Sequence, residues 1–132
     1  MRNRLVAFTA LLALGAPAAA PAKRPTPEAQ LERAIGDRVA GEPVSCLDTR
    51  RLTSSRIIDG TAIVYDTPGD VLYVNVPRGG SADTLDRWDV LVSRQYSTRL
   101  CRGDVVRLFD QNSQVQTGAV FLGDFVPYRR AR

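Results

Sequence analysis

The sequence predicts a mainly β protein: a small twisted antiparallel sheet or partly open barrel of six strands, preceded by one N-terminal helix. From Val44 onwards, apolar residues recur with a period of two in short segments that are separated by tight-turn signals. After Thr26, apolar residues recur at helical spacing. Residues 44–128 therefore form the predicted β domain. Residues 23–43 form an arm and helix before it, and residues 129–132 form a basic tail.

Residues 1–22 have the layout of a secretory signal peptide, in which two arginines precede a mostly apolar run from Leu5 to Leu14. This run is too short for a transmembrane helix, which needs about 20 residues. Two A-x-A cleavage sites end at Ala20 and Ala22, and we favour Ala22 because Pro21 would otherwise begin the mature chain. We expect a periplasmic or secreted protein whose mature form does not span a membrane.

Composition argues against several function classes. The formal charge of +4 falls to +2 when residues 1–22 are removed, because two arginines and no acids are lost. The remaining arginines are interleaved with aspartates, whereas nucleic-acid-binding proteins concentrate basic charge on one face. The chain has no histidine, which excludes Ser-His-Asp and Cys-His catalysis and histidine-based zinc sites. We expect no nucleic-acid partner, no cofactor, no metal and no enzymatic activity.

The helix is predicted from its start signals. Thr26 is a favourable N-cap, Pro27 fits the first helical position, and Glu28 places an acid in the first turn. Apolar residues continue at helical spacing as far as Val39, and Gly41 is the expected C-terminal cap.

The first three predicted strands form a meander of Leu52–Ile58, Thr61–Tyr65 and Val71–Val76. Asp59-Gly60 is a strong signal for a two-residue hairpin between the first two strands. Thr67-Pro68-Gly69-Asp70 has proline and glycine at the positions that suit a tight turn before the third strand.

Three further strands are predicted at Trp88–Ser93, Asp104–Phe109 and Ala119–Leu122. A loop over Pro77–Thr84 precedes them, and the polar segment Gln111–Gly118 separates the last two. Short strands at this spacing are typical of a small sheet or barrel.

Cys46 and Cys101 are the only two cysteines of the chain. An even pair in an exported protein first indicates a disulfide, which would stabilise the fold by about 4 kcal/mol in the chain-entropy model. Redox chemistry is the alternative, but the spacing is unlike C-x-x-C. Positions 102–104 spell Arg-Gly-Asp, which we interpret as a turn and the start of a strand rather than an adhesion motif.

Aromatic residues are spread along the predicted strands, and at this density we expect most of them in the core: Tyr65, Tyr73, Trp88, Tyr96, Phe121, Phe125 and Tyr128. Aromatic rings on a sheet also offer flat apolar area with a polar handle for sugars or peptides. We assign Tyr73 and its neighbour Asn75 to a candidate binding surface.

Cys46 and three later segments together resemble a family of small exported proteobacterial proteins that is known only as a domain of unknown function. The segments are RIIDGTAIVYDTPGDVLYVNVP, LCRGDVVRLFD and GAVFLGDFVPY, and the resemblance covers about residues 44–128. Members often carry two further cysteines near Ser81 and Val120, which this chain lacks. The resemblance implies an exported β domain in which Cys46 pairs with Cys101.

Three classes of function remain open. We predict a non-catalytic domain of the cell envelope that has a structural role or binds a protein or glycan. The alternative is an inhibitor of a secreted hydrolase such as a lysozyme or protease, with Pro77–Ser81 or Gln111–Gly118 as its rigid loop. An enzyme is third, because it would have to work with Asp, Glu, Arg, Tyr or Ser alone.

We predict that the exported protein begins at Lys23, which intact-mass measurement will show. Ala22→Phe should block processing, because signal peptidase sites need small residues. Ala18→Phe should be processed normally, since Ala18 is not part of the site that ends at Ala22. Exported protein that retains residues 1–22 would contradict this prediction.

Overall fold

The computed structural model describes residues 15–132, which form one α-helix and eleven β-strands. The helix is α1 (Pro27–Ile35) and the strands are β1 (Arg38–Ala40), β2 (Cys46–Asp48), β3 (Ser54–Ile58), β4 (Ala62–Thr67), β5 (Val71–Asn75), β6 (Gly79–Gly80), β7 (Asp89–Ser93), β8 (Arg99–Cys101), β9 (Val105–Asp110), β10 (Gln116–Phe121) and β11 (Phe125–Arg130).

All strand pairs in this part of the chain are antiparallel. They form a five-stranded sheet with the order β1-β11-β5-β4-β3, a four-stranded sheet with the order β6-β10-β9-β7, and the pair β2-β8. None of these sheets closes into a barrel. The mainly β class, the single helix and the antiparallel arrangement are thus confirmed.

The six predicted strands correspond to β3, β4, β5, β7, β9 and β10, so the predicted strand count is too low. The missed strands β2, β6 and β8 have two or three residues each, too few for an alternating pattern. β11 extends to Arg130 and pairs with β1, so Arg129 and Arg130 of the predicted basic tail lie in a strand.

The helix starts as the sequence predicts. The Thr26 hydroxyl oxygen accepts a hydrogen bond from the Ala29 N–H at 3.3 Å, and Pro27 is the first helical residue. Its apolar side chains pack on one face of the five-stranded sheet: Leu31, Ala34 and Ile35.

The predicted end of the helix at Gly41 is wrong. The helix ends at Ile35, because Gly36 adopts a φ of 64° and donates its N–H to the Glu32 carbonyl at 2.8 Å. A residue with a side chain rarely adopts this left-handed conformation, so glycine is favoured as the cap. Val39 then lies in β1, paired with β11.

The five-stranded sheet is covered on both faces, and its strand β4 is the most deeply buried element. Ala62, Ile63 and Val64 are 0% exposed and Tyr65 is 4% exposed. One face of the sheet packs against α1, and the opposite face packs against the four-stranded sheet. Between the two sheets, the Tyr65 and Phe125 rings lie 5.8 Å apart at an interplanar angle of 60°.

Asn75 is the one buried polar side chain among the buried residues of the described chain, and it is 0% exposed. Its Nδ2 donates to the Gly123 carbonyl at 2.8 Å, and its Oδ1 accepts from the Gly123 N–H at 2.9 Å. The amide therefore satisfies both backbone groups of a buried residue in the segment between β10 and β11.

The predicted disulfide is confirmed. Cys46 and Cys101 lie directly opposite each other in the β2-β8 pair, with their Cα atoms 4.0 Å apart, and are bonded. The bond joins positions separated by 55 residues. Closing a loop of that length stabilises a fold by about 4 kcal/mol in the chain-entropy model.

The predicted signal peptide lies largely outside the described residues, including its apolar run Leu5–Leu14. Residues 15–22 are exposed and have no regular secondary structure. Within residues 15–132, no helix is long and apolar enough to cross a membrane.

Asn75→Ala should lower the free energy of unfolding by about 3 kcal/mol, because it leaves the buried N–H and carbonyl of Gly123 without partners. Urea denaturation of the oxidised protein measures the loss. Asn112→Ala is the matched control at an exposed position, and it should change stability by less than about 0.5 kcal/mol. Equal stability of the two variants would contradict a structural role of the Asn75 amide.

Candidate binding face

The four-stranded sheet has one buried and one exposed face, which is seen most clearly along β9. Val106 and Leu108 are buried, whereas Val105 and Arg107 are exposed. Because successive side chains of a strand point to opposite faces, Val105, Arg107 and Phe109 share the face turned away from the core.

The strand register extends this face across three strands. Val105 lies opposite Phe121 of β10, Arg107 lies opposite Val92 of β7, and Phe109 lies opposite Val90 of β7. Directly opposed residues of an antiparallel pair share a face. We call this surface the outer face and define it by Val90, Val92, Val105, Arg107, Phe109 and Phe121.

Large apolar side chains of the outer face are in contact with solvent. Val90, Val92, Val105 and Phe121 are 43–47% exposed, and Trp88, directly before β7, is 62% exposed. Contiguous apolar surface of this kind marks interaction sites in soluble proteins. The central strands of the five-stranded sheet differ, since both of their faces are covered.

An open groove of about 450 Å³ runs along part of the outer face and combines apolar and cationic side chains. Arg94 and Arg107 line it, and neither forms a salt bridge within residues 15–132. Asp104 also lines the groove, but its carboxylate accepts the Cys101 N–H at 2.7 Å. The groove therefore offers two guanidinium groups to a ligand with negative charge.

The structure does not unite Tyr73 and Asn75 into one binding surface. Tyr73 is half-buried and lines a separate cleft of about 290 Å³ together with Arg51 and Arg129. Asn75 is fully buried and bonded to Gly123, so it has no surface to offer a ligand. Its role in this structure is to satisfy buried backbone groups.

The Arg-Gly-Asp tripeptide forms the tight turn between β8 and β9, as the sequence predicts. Gly103 has a φ of 88° and donates its N–H to the Leu122 carbonyl at 2.9 Å. Arg102 forms a salt bridge with Asp124 at 3.1 Å, and the carboxylate of Asp104 caps the turn. The tripeptide is thus held by the fold instead of lying at a mobile loop tip.

Three aspartates have a lowered pKa, and hydrogen bonds are the cause in each case. The side chain of Arg50 lowers the pKa of Asp48 to about 2. Arg87 lowers the pKa of Asp59, and the Ser113 N–H lowers that of Asp110. Such carboxylates are ionised acceptors in structural contacts. Among the described residues there is no group of three His, Cys, Asp or Glu side chains that could hold a metal ion.

Four of the seven named aromatic residues lie in or against the core, as expected of most of them, and three are exposed. Trp88 and Phe121 are exposed on or beside the outer face, and Tyr96 is 95% exposed. One sequence signal could have located this face. Arg107 sits between Val105 and Phe109 at a spacing of two, so the charged residue marks the solvent side of its strand.

The described chain is a disulfide-bridged, mainly β protein with an uncovered apolar sheet face. No protein-family model, curated protein or solved structure matches the chain. The resemblance to an exported proteobacterial family stays a prediction.

Asp59 connects the β3-β4 turn to the segment before β7. Its carboxylate accepts the Arg87 N–H at 2.9 Å, forms a salt bridge with the Arg87 guanidinium, and accepts from Gln30 of α1 at 3.4 Å. The hydrogen bond from the Arg87 side chain is the main cause of the lowered pKa of Asp59. A lowered pKa in the folded state means that the ionised carboxylate stabilises the fold above the unfolded pKa of about 4.

Asp59→Asn should lower the free energy of unfolding at pH 7 by about 1 kcal/mol. The expected loss is modest because solvent partly screens the ion pair between Asp59 and Arg87. The difference from the wild type should shrink as the pH falls below about 4, because protonation removes the same interaction in the wild type. Denaturation at several pH values measures this dependence. Asp83→Asn is the control, because it removes the same charge at an exposed position and should change the free energy of unfolding little. A loss of stability in Asp59→Asn that does not depend on pH would argue against the ion pair.

Proposed function

We propose that this chain is an exported, non-catalytic domain that binds a protein of the cell envelope through its outer face. The observation that carries the proposal is the cluster of apolar side chains that are 43–47% exposed on that face. Apolar side chains that remain in water do not stabilise the fold, whereas their burial against a partner would stabilise a complex.

The chemistry of the outer face favours a protein over a glycan. Valine and phenylalanine dominate it, with Arg107 in its centre and Arg94 at its groove. Protein interfaces are enriched in aromatic residues and arginine and depleted of lysine and glutamate. A glycan site needs more hydrogen-bonding side chains than this face presents, because sugars carry hydroxyl groups around the whole ring.

The unpaired arginines indicate the charge of the partner. Arg94 and Arg107 have no salt bridge with a described residue, so a carboxylate of the partner would find both guanidinium groups available. Complementary charge at the rim speeds encounter and fixes orientation. We infer that the partner surface is apolar at its centre and acidic at its edge.

Two observations support a non-catalytic role. The sequence has no histidine, the usual general base at neutral pH. The pKa values of Asp48, Asp59 and Asp110 are all lowered, whereas a carboxyl group that acts as general acid has a raised pKa. These aspartates are suited to holding turns and arginines in place.

Export is supported by the disulfide between Cys46 and Cys101, because such bonds persist in oxidising compartments. The amino-terminal residues with signal-peptide layout support the same compartment. We therefore propose a periplasmic or secreted protein that is cleaved after Ala22.

Inhibition of a secreted hydrolase is the second candidate, and the β9-β10 hairpin favours it. The carboxylate of Asp110 accepts the N–H groups of Asn112 and Ser113 at 3.1 and 2.6 Å, which fixes the exposed turn. Such a rigid tip suits insertion into an enzyme cleft. The other proposed loop lies flat, since Gly79–Gly80 pairs with β10 as β6.

The test of the main proposal is affinity capture from a cell-envelope extract with the mature domain as bait. Val105→Asp should reduce recovery of the bound protein by about tenfold, because it places a carboxylate within an apolar contact and opposite an acidic partner. Val39→Asp is the matched control, since Val39 is 60% exposed in β1 of the other sheet and should retain binding. Circular dichroism verifies that both variants are folded.

Equal recovery by both variants would contradict binding through the outer face. A screen against lysozymes and proteases runs in parallel. Inhibition that is lost in Asp110→Ala but retained in Val105→Asp would support the inhibitor instead. Turnover of a substrate that is abolished by replacing a single aspartate, with the fold intact, would overturn the non-catalytic assignment.

A further inference from the structure

β7 is an edge strand with a free backbone edge. It pairs with β9 on one side, and no strand within residues 15–132 pairs with its other side. A groove of about 410 Å³ lies beside that side, lined by Asp89 and Leu91 of β7, by β3, and by residues of α1. β3 is itself the edge of the five-stranded sheet. An unpaired strand edge presents N–H and carbonyl groups that are ready to pair with another strand.

β7 lacks most of the features that usually protect an edge. It is five residues long and contains no proline, no lysine and no register shift against β9. Its two outward valines, Val90 and Val92, are 45% and 44% exposed. Its single charged residue is Asp89, at the first position, whose carboxylate accepts a hydrogen bond from the Thr117 hydroxyl at 2.8 Å.

The sequence of β7 is complementary to itself in antiparallel orientation. With a two-fold axis at Leu91, each Val90 lies opposite the Val92 of a second copy, and each Asp89 lies opposite Ser93. The same register, continued by one residue at each end, places Trp88 opposite Arg94. A tryptophan face and a guanidinium group attract each other through a cation–π interaction.

Neighbouring registers are less favourable. An axis at Val90 would place Asp89 opposite Leu91, a carboxylate beside an apolar side chain. An axis at Val92 would place Val90 opposite Arg94 and leave Trp88 without a cation. The axis at Leu91 alone matches apolar with apolar and cation with aromatic ring, so the side chains of β7 select it.

We propose that two copies of this chain associate through β7, in antiparallel register about Leu91, so that their four-stranded sheets form one continuous sheet. The β7 edge thus binds β7 of a second copy through main-chain hydrogen bonds and through the side-chain pairs Val90–Val92 and Trp88–Arg94. Such an isologous two-fold interface is closed and does not propagate into fibres. It joins two outer faces into one surface.

Sedimentation velocity of the oxidised mature protein over a concentration series, up to about 1 mM, tests the association. The expected result is a concentration-dependent species of twice the monomer mass. Val92→Lys should weaken it by about tenfold, because it places a charge at the edge opposite Val90 and next to Arg94. Val105→Lys is the control, since Val105 lies on the outer face in the central strand β9 and should leave the dimer intact.

A monomer at every concentration would overturn the proposal. Equal weakening by Val92→Lys and Val105→Lys would also overturn it, because that result indicates stacking of the outer faces instead of edge pairing. Hydrogen exchange at high and low concentration locates the contact: amides of β7 should gain protection in the dimer, while those of the β3 edge should not. A dimer without protection in β7 contradicts strand pairing.

The register has its own test in the fluorescence of Trp88, the single tryptophan of the chain. Dimerisation should change its emission, and Arg94→Gln should abolish that change and weaken the dimer about threefold. Arg78→Gln removes an arginine from another part of the surface and should do neither. A Trp88 signal that is unaffected by Arg94→Gln would overturn the register about Leu91.

Discussion

Burial of β4 on both faces is the constraint on which the other elements depend. Ala62, Ile63, Val64 and Tyr65 alternate between the two faces, yet all four are 0–4% exposed. Ala62 and Val64 are buried on the face covered by α1, and Ile63 and Tyr65 are buried on the face covered by the four-stranded sheet. The result is three layers in the order α1, five-stranded sheet and four-stranded sheet, so the four-stranded sheet is one of the two outer layers. Its outer face has no further layer within the described chain, which is why apolar side chains remain exposed there.

A few polar contacts fix how the layers are joined, since apolar packing alone is non-directional. The Asn75 amide holds Gly123 and so positions the crossing from β10 to β11. Asp59 ties the β3-β4 turn to Arg87, and the Gly60 N–H donates to the Leu85 carbonyl at 2.8 Å beside it. These contacts hold the two sheets together at the end of the groove between β3 and β7. They leave the remainder of the β7 edge free.

Local signals were sufficient for the meander, the start of α1 and the turn at Gly103, because turn chemistry and capping depend on neighbours in sequence. They failed for β1 and β11, which pair across almost the whole described chain. Gly36 and Gly41 are equivalent as helix caps in the sequence, and the pairing of Val39 with β11 decides between them. For the candidate binding face, the alternation along β7 and β9 was visible in the sequence, and Arg107 marked the solvent side of β9. The sequence did not show that apolar side chains remain uncovered on that side, because this depends on how the two sheets pack.

The pairing of β1 with β11 also constrains the order in which the chain folds. β11 lies between β1 and β5, so the five-stranded sheet stays split until residues 125–130 are present. Sheets that join distant segments have high contact order and form slowly. For the proposed export, this means that the chain cannot complete its five-stranded sheet before its last strand has been synthesised, which favours passage through a membrane as an unfolded polypeptide.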